Sequence, residues 1–163
     1  LSDTDALTGL FNRRAFQAAV DETLLKRISG VFIFIDVDNF KNYNDKYGHA
    51  NGDLCLKHFA DAMKKCFPRD SILGRYGGDE FVVYIKNAAS DDAHRYMDEF
   101  QREISHLIMA GGEHVTVSAS AGGVAFIGEG EDFVSLCRSA DNMLYDVKRN
   151  GKGTFKIKGA KNM

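Results

Sequence analysis

The side chains best suited to chemistry in this sequence are acidic, and they stand where a hydrophobic core would not want them. Asp36 lies near the end of the apolar run Val31–Val37, where a buried carboxylate is costly unless something positive compensates it. Asp79 and Glu80 follow directly on Gly77 and Gly78, between two further apolar runs. If those runs form a hairpin beside the Val31–Val37 strand, all three carboxylates meet at one end of a sheet, and such a cluster demands a cation. Hard oxygen ligands select Mg²⁺ or Mn²⁺ over thiophilic metals, and Mg²⁺ held by a few carboxylates shares its remaining positions with substrate phosphates. Each piece also has a plainer use. Gly-Gly-Asp makes ordinary tight turns, and an aspartate at a strand end commonly caps the next helix.

Between the two acidic points runs Asp36–Asp53 (DVDNFKNYNDKYGHANGD), dense in donors and acceptors, with glycines that permit sharp reversals. Asn and Asp side chains together match the Watson–Crick edge of a purine, an Asp accepting from the N1–H and amino group of guanine. Adenine lacks that N1–H donor. Tyr43, Tyr47 and Tyr76 suit either pocket walls or half-buried packing. Asp38 would share a face with Asp36 only if the strand continued that far, so it stays outside the ligand set.

These residues need a frame to position them. Asn12 can cap a helix whose apolar positions Phe16, Val20, Leu24 and Ile28 recur every four residues. Val31–Val37 is β-branched and aromatic, too short for a helix and too apolar for an edge, and therefore a central strand. A second helix is expected from Ala50 to Phe67. Ser71–Tyr76 and Glu80–Lys86 read as strands joined at Gly77–Asp79, since glycine supplies positive φ without steric penalty. A third helix is expected over Asp91–Met109, with Met97, Phe100, Ile104 and Leu107 on its apolar face. A small-residue strand follows over Val115–Ile127, then a long helix over Asp132–Arg149 and a closing strand at Thr154–Ile157. This order predicts an α+β sandwich of ferredoxin-like type, with helices packed on a mostly antiparallel sheet.

With 163 residues, 44% of them hydrophobic and 27% charged, the chain is expected to form a single domain spanning 1–163. At this size folding buries roughly 68–70% of the exposed surface of the unfolded chain, enough for a core without disulfide or metal staples. A net charge of −2 and a pI near 6.2 argue against a nucleic-acid coat or an anionic-membrane binder, both of which need a basic surplus. The three cysteines, Cys55, Cys66 and Cys137, are widely spaced within apolar helical patterns, as expected of reduced core residues in a cytoplasmic compartment. No apolar run reaches the roughly 18 residues of a membrane span. A start at Leu1 suggests a segment cut from a longer protein with a sensory or regulatory domain upstream.

The run Gly77, Gly78, Asp79, Glu80, Phe81 resembles the signature of the GGDEF family of diguanylate cyclases. The resemblance extends to Asp5–Arg14 (DALTGLFNRR), the Asp36–Asp53 block, Arg75–Phe81 (RYGGDEF) and Ala140–Lys148 (ADNMLYDVK). It implies a nucleotide-cyclase, palm-like fold and a reaction joining two GTP molecules into cyclic di-GMP with release of two pyrophosphates. It also implies a set of roles. Asp36, the Val37 carbonyl and Asp79 would hold Mg²⁺ or Mn²⁺ against the triphosphate, with Glu80 as a further ligand or acid/base group. Lys41 would neutralise phosphate charge, supported by the backbone at Asn39 and Phe40. Asn44 and Asp53 would read guanine, His49 would shape the pocket, and Lys148 and Lys152 would reach the terminal phosphates. Without the resemblance, Lys148 reads as a charge complementing a helix carboxyl end and His49 as a solvated turn residue. Each family domain binds one GTP, so catalysis would need a homodimer with two sites facing each other.

The sequence departs from the family at two points. The arginine and aspartate of the RxxD product-inhibition site are replaced by Pro68 and Ser71, and Gly151–Gly153 reads Gly-Lys-Gly where Gly-Arg-Asn is usual. Lysine keeps the charge there but loses the bidentate fork that suits phosphate. Two other functions compete with the enzyme. One is a catalytically silent GTP-binding regulatory module. The other is an RNA binder using Phe32 and Phe34 as stacking platforms, disfavoured because those rings belong to a strand expected to be buried on both faces.

Overall fold

A computed structural model describes residues 1–159. Its elements run α1 (Arg13–Leu25), β1 (Gly30–Val37), α2 (Phe40–Tyr47), α3 (His49–Cys66), β2 (Ile72–Arg75), β3 (Glu80–Lys86), α4 (Ser90–Ile104), β4 (His106–Ile108), β5 (His114–Thr116), β6 (Ala119–Phe126), α5 (Phe133–Arg149) and β7 (Phe155–Lys158). Five strands form one sheet in the order β2-β3-β1-β6-β7. β1 pairs antiparallel with both β3 and β6, and β7 joins β6 in parallel. The fold is α+β with a ferredoxin-like core, as the element order implied.

The sheet position of β1 follows from its composition. Every residue of Gly30–Val37 is buried, and the alternating side chains feed two separate cores. Val31, Ile33 and Ile35 pack with α3 and α4 through Phe59, Met63, Met97 and Phe100. Phe32 and Phe34 pack with α1 and α5 through Phe16, Val20, Phe133 and Leu144. Phe32 and Phe34 are therefore core residues, unavailable as stacking platforms. Cys55 and Cys66 are buried and Cys137 half-buried, all three as free thiols. Asn12 caps α1 by accepting from the Ala15 N–H at 2.9 Å, and Asp132 caps α5 by accepting from the Ser135 N–H at 2.8 Å. Among the described residues, no helix is long and apolar enough to cross a membrane.

Four boundaries differ from expectation. α1 stops at Leu25 because the chain turns at Arg27, which takes a positive φ of 56°, so Ile28 lies outside it. α4 ends at Ile104, and Leu107 belongs instead to a small antiparallel hairpin of β4 with β5. The expected strand over Val115–Ile127 is accordingly split between β5 and β6. An unexpected helix, α2, fills Phe40–Tyr47; it buries only Tyr43, which leaves almost no apolar period to detect.

α5 packs closely on β6. A Cβ at Gly122 would sit 2.0 Å from the Leu144 backbone nitrogen and 2.5 Å from the Ala140 carbonyl oxygen, so only glycine permits this approach. Gly122→Ala is expected to destabilise the domain by about 1–3 kcal/mol through overpacking, measured by urea unfolding. Gly111→Ala, where an added Cβ meets nothing within 4 Å, is the control.

Candidate active site

The acidic cluster forms where β1, β3 and α5 meet. Strand register sets Asp36 directly opposite Glu80, and the Val37 N–H donates to the Asp79 carbonyl at 3.1 Å. The hairpin thus lies beside β1 as expected. Asp36 is 8% exposed. Its Oδ2 accepts from the Lys148 ammonium of α5, while its Oδ1 is buried without a hydrogen-bond partner among the described residues. Burial raises the Asp36 pKa above the ordinary carboxylate value; Lys148 opposes this, and Asp79 and Asp141 add to it. Glu80 is exposed at the strand end with its carboxylate turned back against Gly77. Its pKa is also raised, by desolvation of the carboxyl and then by the charges of Asp36 and Asp79. Desolvation works against the Lys148 charge, yet Asp36, with Asp79 and Glu80, holds that ammonium above its ordinary pKa.

Two cavities open from this point. One, of about 320 Å³, is lined by Asp36, Val37, Asp38, Asn39, Phe40, Lys41, Asn42, Asp79, Lys148 and Lys152. The other, of about 540 Å³, is lined by Phe40, Lys41, Asn44, Asp45, His49, Asp53, Leu56, Arg75, Gly78 and Asp79. They share Phe40, Lys41 and Asp79, so they are two compartments of one site. Both fall in the size range of small-molecule pockets, roughly 300–1,000 Å³. The first carries three lysines, the charge a polyphosphate needs; the second carries amide and carboxylate groups, the pattern a base edge needs. A 420 Å³ hollow between α1 and the Gly130–Asp132 turn shares no residue with either.

Of the residues given catalytic, substrate-binding or metal roles from sequence, all but Glu80 line one of these two compartments. Asn44 is held over Gly52 at the start of α3: a Cβ on Gly52 would come within 1.7 Å of Asn44 Oδ1. That Oδ1 is buried with no hydrogen-bond partner among the described residues. His49 and Asp53 stand exposed on the first turns of α3. Tyr43 is buried, and Tyr76 packs edge-on against Phe34 at 5.2 Å beneath the Arg13 guanidinium, so both serve packing. Lys148 is paired with Asp36 rather than held free for phosphates. Among the described residues, no group of three or more His, Cys, Asp or Glu side chains stands ready to hold a metal ion.

Two networks that sequence reasoning missed fix the loops of the site. Asp38 is engaged by serines: its carboxylate accepts from the hydroxyls of Ser118 and Ser120, each at 2.6 Å. Ser120 Oγ in turn accepts from the Gly153 N–H at 3.0 Å, and Lys152 donates to Asn39 Oδ1 at 3.2 Å. The loop after β1 is therefore stapled to the loop after α5. At the hairpin, Arg75 donates to the carbonyls of Gly77 and Gly78 and pairs with Asp5. Asp5 also accepts from the N–H and hydroxyl of Thr8 at 2.9 and 2.7 Å. Burial works against the Asp5 charge, but Thr8 and Arg75 hold its pKa below the ordinary value. The partners of Asp38 are 80 and 82 positions away, and no spacing rule reaches that far.

Comparison with known proteins identifies the family of the chain. Residues 2–154 match the family model described as diguanylate cyclase, GGDEF domain. The chain is similar to a diguanylate cyclase of Vibrio cholerae, at 34% identity over 93% of this chain and 48% of the relative. It is equally similar, at 34% identity over 95% of this chain, to the cyclic di-GMP phosphodiesterase PdeR of Escherichia coli, of which the match covers 24%. The chain thus spans about a fifth to a half of the length of the curated relatives it matches. Among solved structures, the GGDEF domain of DgcB from Caulobacter crescentus, in complex with c-di-GMP, superimposes with a TM-score of 0.88 at 28% identity, covering 96% of each chain. A match over nearly the whole length, with all the sequence blocks of the site inside it, places this chain in the GGDEF domain family.

Proposed function

We propose that this domain is a diguanylate cyclase that condenses two GTP molecules into cyclic di-GMP and two pyrophosphates, using Mg²⁺ or Mn²⁺ at a two-fold dimer interface. The observation that carries this reading is the joined pair of compartments, one lysine-lined and one lined by amide and carboxylate groups, meeting at Asp79 and Lys41. The donor set suits a hard divalent ion. The unpartnered Asp36 Oδ1 is a buried oxygen in want of a positive neighbour, and Val37 and Asp79 line the same compartment. Asp36, the Val37 carbonyl, Asp79 and Glu80 would hold the ion, with phosphate oxygens completing its shell. When bound, the ion supplies charge stabilisation at the phosphates and lowers the pKa of a nearby hydroxyl.

The chain's own residues divide the remaining work. Asn44 and Asp53 hold the guanine edge, with His49 at the pocket wall. Lys41 neutralises charge that develops on the α-phosphate, supported by the backbone at Asn39 and Phe40. Lys148 and Lys152 hold the terminal phosphates. Glu80, whose pKa is raised, or Asp79 accepts the proton of the attacking 3′-hydroxyl. Because one domain offers one nucleotide site, the hydroxyl comes from the nucleotide of a second copy. Pro68 and Ser71 leave the domain without the RxxD product-inhibition pair. The reading puts the domain in the cytoplasm, where GTP is, under control of a regulatory domain elsewhere in a longer protein.

The second reading is a silent GTP-binding module. It is favoured by PdeR, a relative named for breakdown of cyclic di-GMP that nevertheless matches this domain. Incubation with GTP and Mg²⁺ at high protein concentration separates the two, since only the enzyme releases pyrophosphate and cyclic dinucleotide.

Asp79→Ala and Glu80→Ala are each expected to abolish synthesis while leaving thermal unfolding cooperative; unchanged turnover in either variant refutes its assignment. Asp53→Ser is expected to relax the choice of GTP over ATP in product analysis under competition. Gly52→Ala pushes a methyl group into the Asn44 amide and is expected to raise KM for GTP roughly tenfold, the worth of one buried hydrogen bond. Steady-state kinetics on a folded variant checks it.

A further inference from the structure

Lys148 faces two ways. From the last turn of α5 its ammonium donates to Asp36 Oδ2, yet its side chain stays 43% exposed in the wall of the phosphate-side compartment. Asp36 is nearly enclosed, and its second oxygen has no partner among the described residues. The neighbouring charges Asp79 and Asp141 are acidic and repel it, while Lys152 is engaged with Asn39. Lys148 is thus the cation that keeps Asp36 compensated in the ligand-free domain. A divalent ion arriving alone at the same carboxylate would set two positive charges side by side in a partly desolvated site. A triphosphate arriving with the ion changes this, because it offers Lys148 new anionic partners in the compartment it already lines.

We infer that Lys148 is an exchangeable counter-ion: it occupies Asp36 in the ligand-free domain, resists a lone divalent cation there, and yields Asp36 when a triphosphate takes it up. Metal and triphosphate binding are thereby coupled through one side chain. The inference rests on the proposal that Asp36 is a metal ligand of a GTP site. Linkage makes the coupling reciprocal, so each ligand raises the affinity of the other by the same factor. A direct bond between ion and phosphate contributes to that factor in any such site. The share owed to Lys148 is recognised by opposite signs: its removal strengthens binding of the ion alone and weakens binding of the triphosphate alone.

The test uses Mn²⁺ as the probe, counted as free ion by electron paramagnetic resonance at pH 8 with no nucleotide present. In parallel, calorimetry measures a non-hydrolysable GTP analogue in EDTA. Lys148→Met is expected to bind Mn²⁺ at least about fivefold more tightly than the wild type, within the usual range of site coupling, and to bind the analogue more weakly. Lys148→Arg keeps the charge and is expected to resist Mn²⁺ as the wild type does. Adding Asp36→Asn to Lys148→Met is expected to abolish the gain. Unchanged or weaker Mn²⁺ binding by folded Lys148→Met overturns the inference, as does a gain that survives Asp36→Asn. Should Lys148→Met fail to fold, Lys148→Gln, whose amide still donates to Asp36 without a charge, replaces it. Absence of Mn²⁺ binding in every chain, even with the analogue present, overturns the metal site itself.

Discussion

The site depends on a carboxylate that the fold forces into a poor dielectric. β1 is apolar on both faces because two cores need it, and Asp36 shares the face that carries Phe32 and Phe34 under α1 and α5. At that depth an uncompensated charge would cost several kcal/mol, and removing the partner of a buried pair is far more damaging than never having had the pair. Lys148 meets that demand from α5. The ion pair therefore ties the chemistry to the packing: α5 must lie close enough on β6 for a lysine in its last turn to reach the end of β1, and Gly122 is what permits the approach. A buried pair with one oxygen left over is a modest source of stability. On the proposed reading it holds a position for a stronger cation.

Around that pair, the loops are fixed by neutral and charged hydrogen bonds rather than by apolar burial. Asp38 on Ser118 and Ser120, and Gly153 on Ser120, join two loops that each bring a lysine toward the same compartment. Arg75 holds the glycine carbonyls of the hairpin and is itself pinned by Asp5. Groups preorganised in this way need little rearrangement when charge develops, which is where electrostatic catalysis gains most. The N-terminal segment is part of this arrangement: Phe11 exchanges backbone hydrogen bonds with Leu73 and Arg75 along β2, so the segment leading into α1 is mechanically joined to the strand that precedes the GGDEF turn.

How much of this was legible in the sequence follows from the range of the interactions. The central strand, the hairpin, the cap at Asn12 and the long α5 are set by local pattern, and these elements stand where the pattern put them. α2 escaped because a two-turn helix that buries one tyrosine has no period to read. The β4–β5 hairpin escaped because Leu107 continues the apolar spacing of α4 even though the backbone has left the helix. The site residues were legible as types, since carboxylates after glycines and an amide-rich block are conspicuous. Their present partners were not. Asp36 and Lys148 lie 112 positions apart, and only the packing of α5 on the sheet shows that a lysine expected to serve phosphate first serves an aspartate.

The arrangement of the two compartments bears on why the proposed reaction needs two copies of the chain. The compartments share Phe40, Lys41 and Asp79, so a nucleotide with its base in one and its phosphates in the other uses both, and no second nucleotide can enter the same pair. A separate hollow beside α1 combines Asp21, Glu131 and Asp132 with one arginine, a lining that repels a triphosphate. In the proposed reaction the bond between two nucleotides forms across an interface between two such sites, each domain contributing half of the reacting groups. In that reaction the rate would follow the meeting of two loaded domains. A site that favours the metal and triphosphate together over either alone would keep half-loaded domains from meeting unproductively.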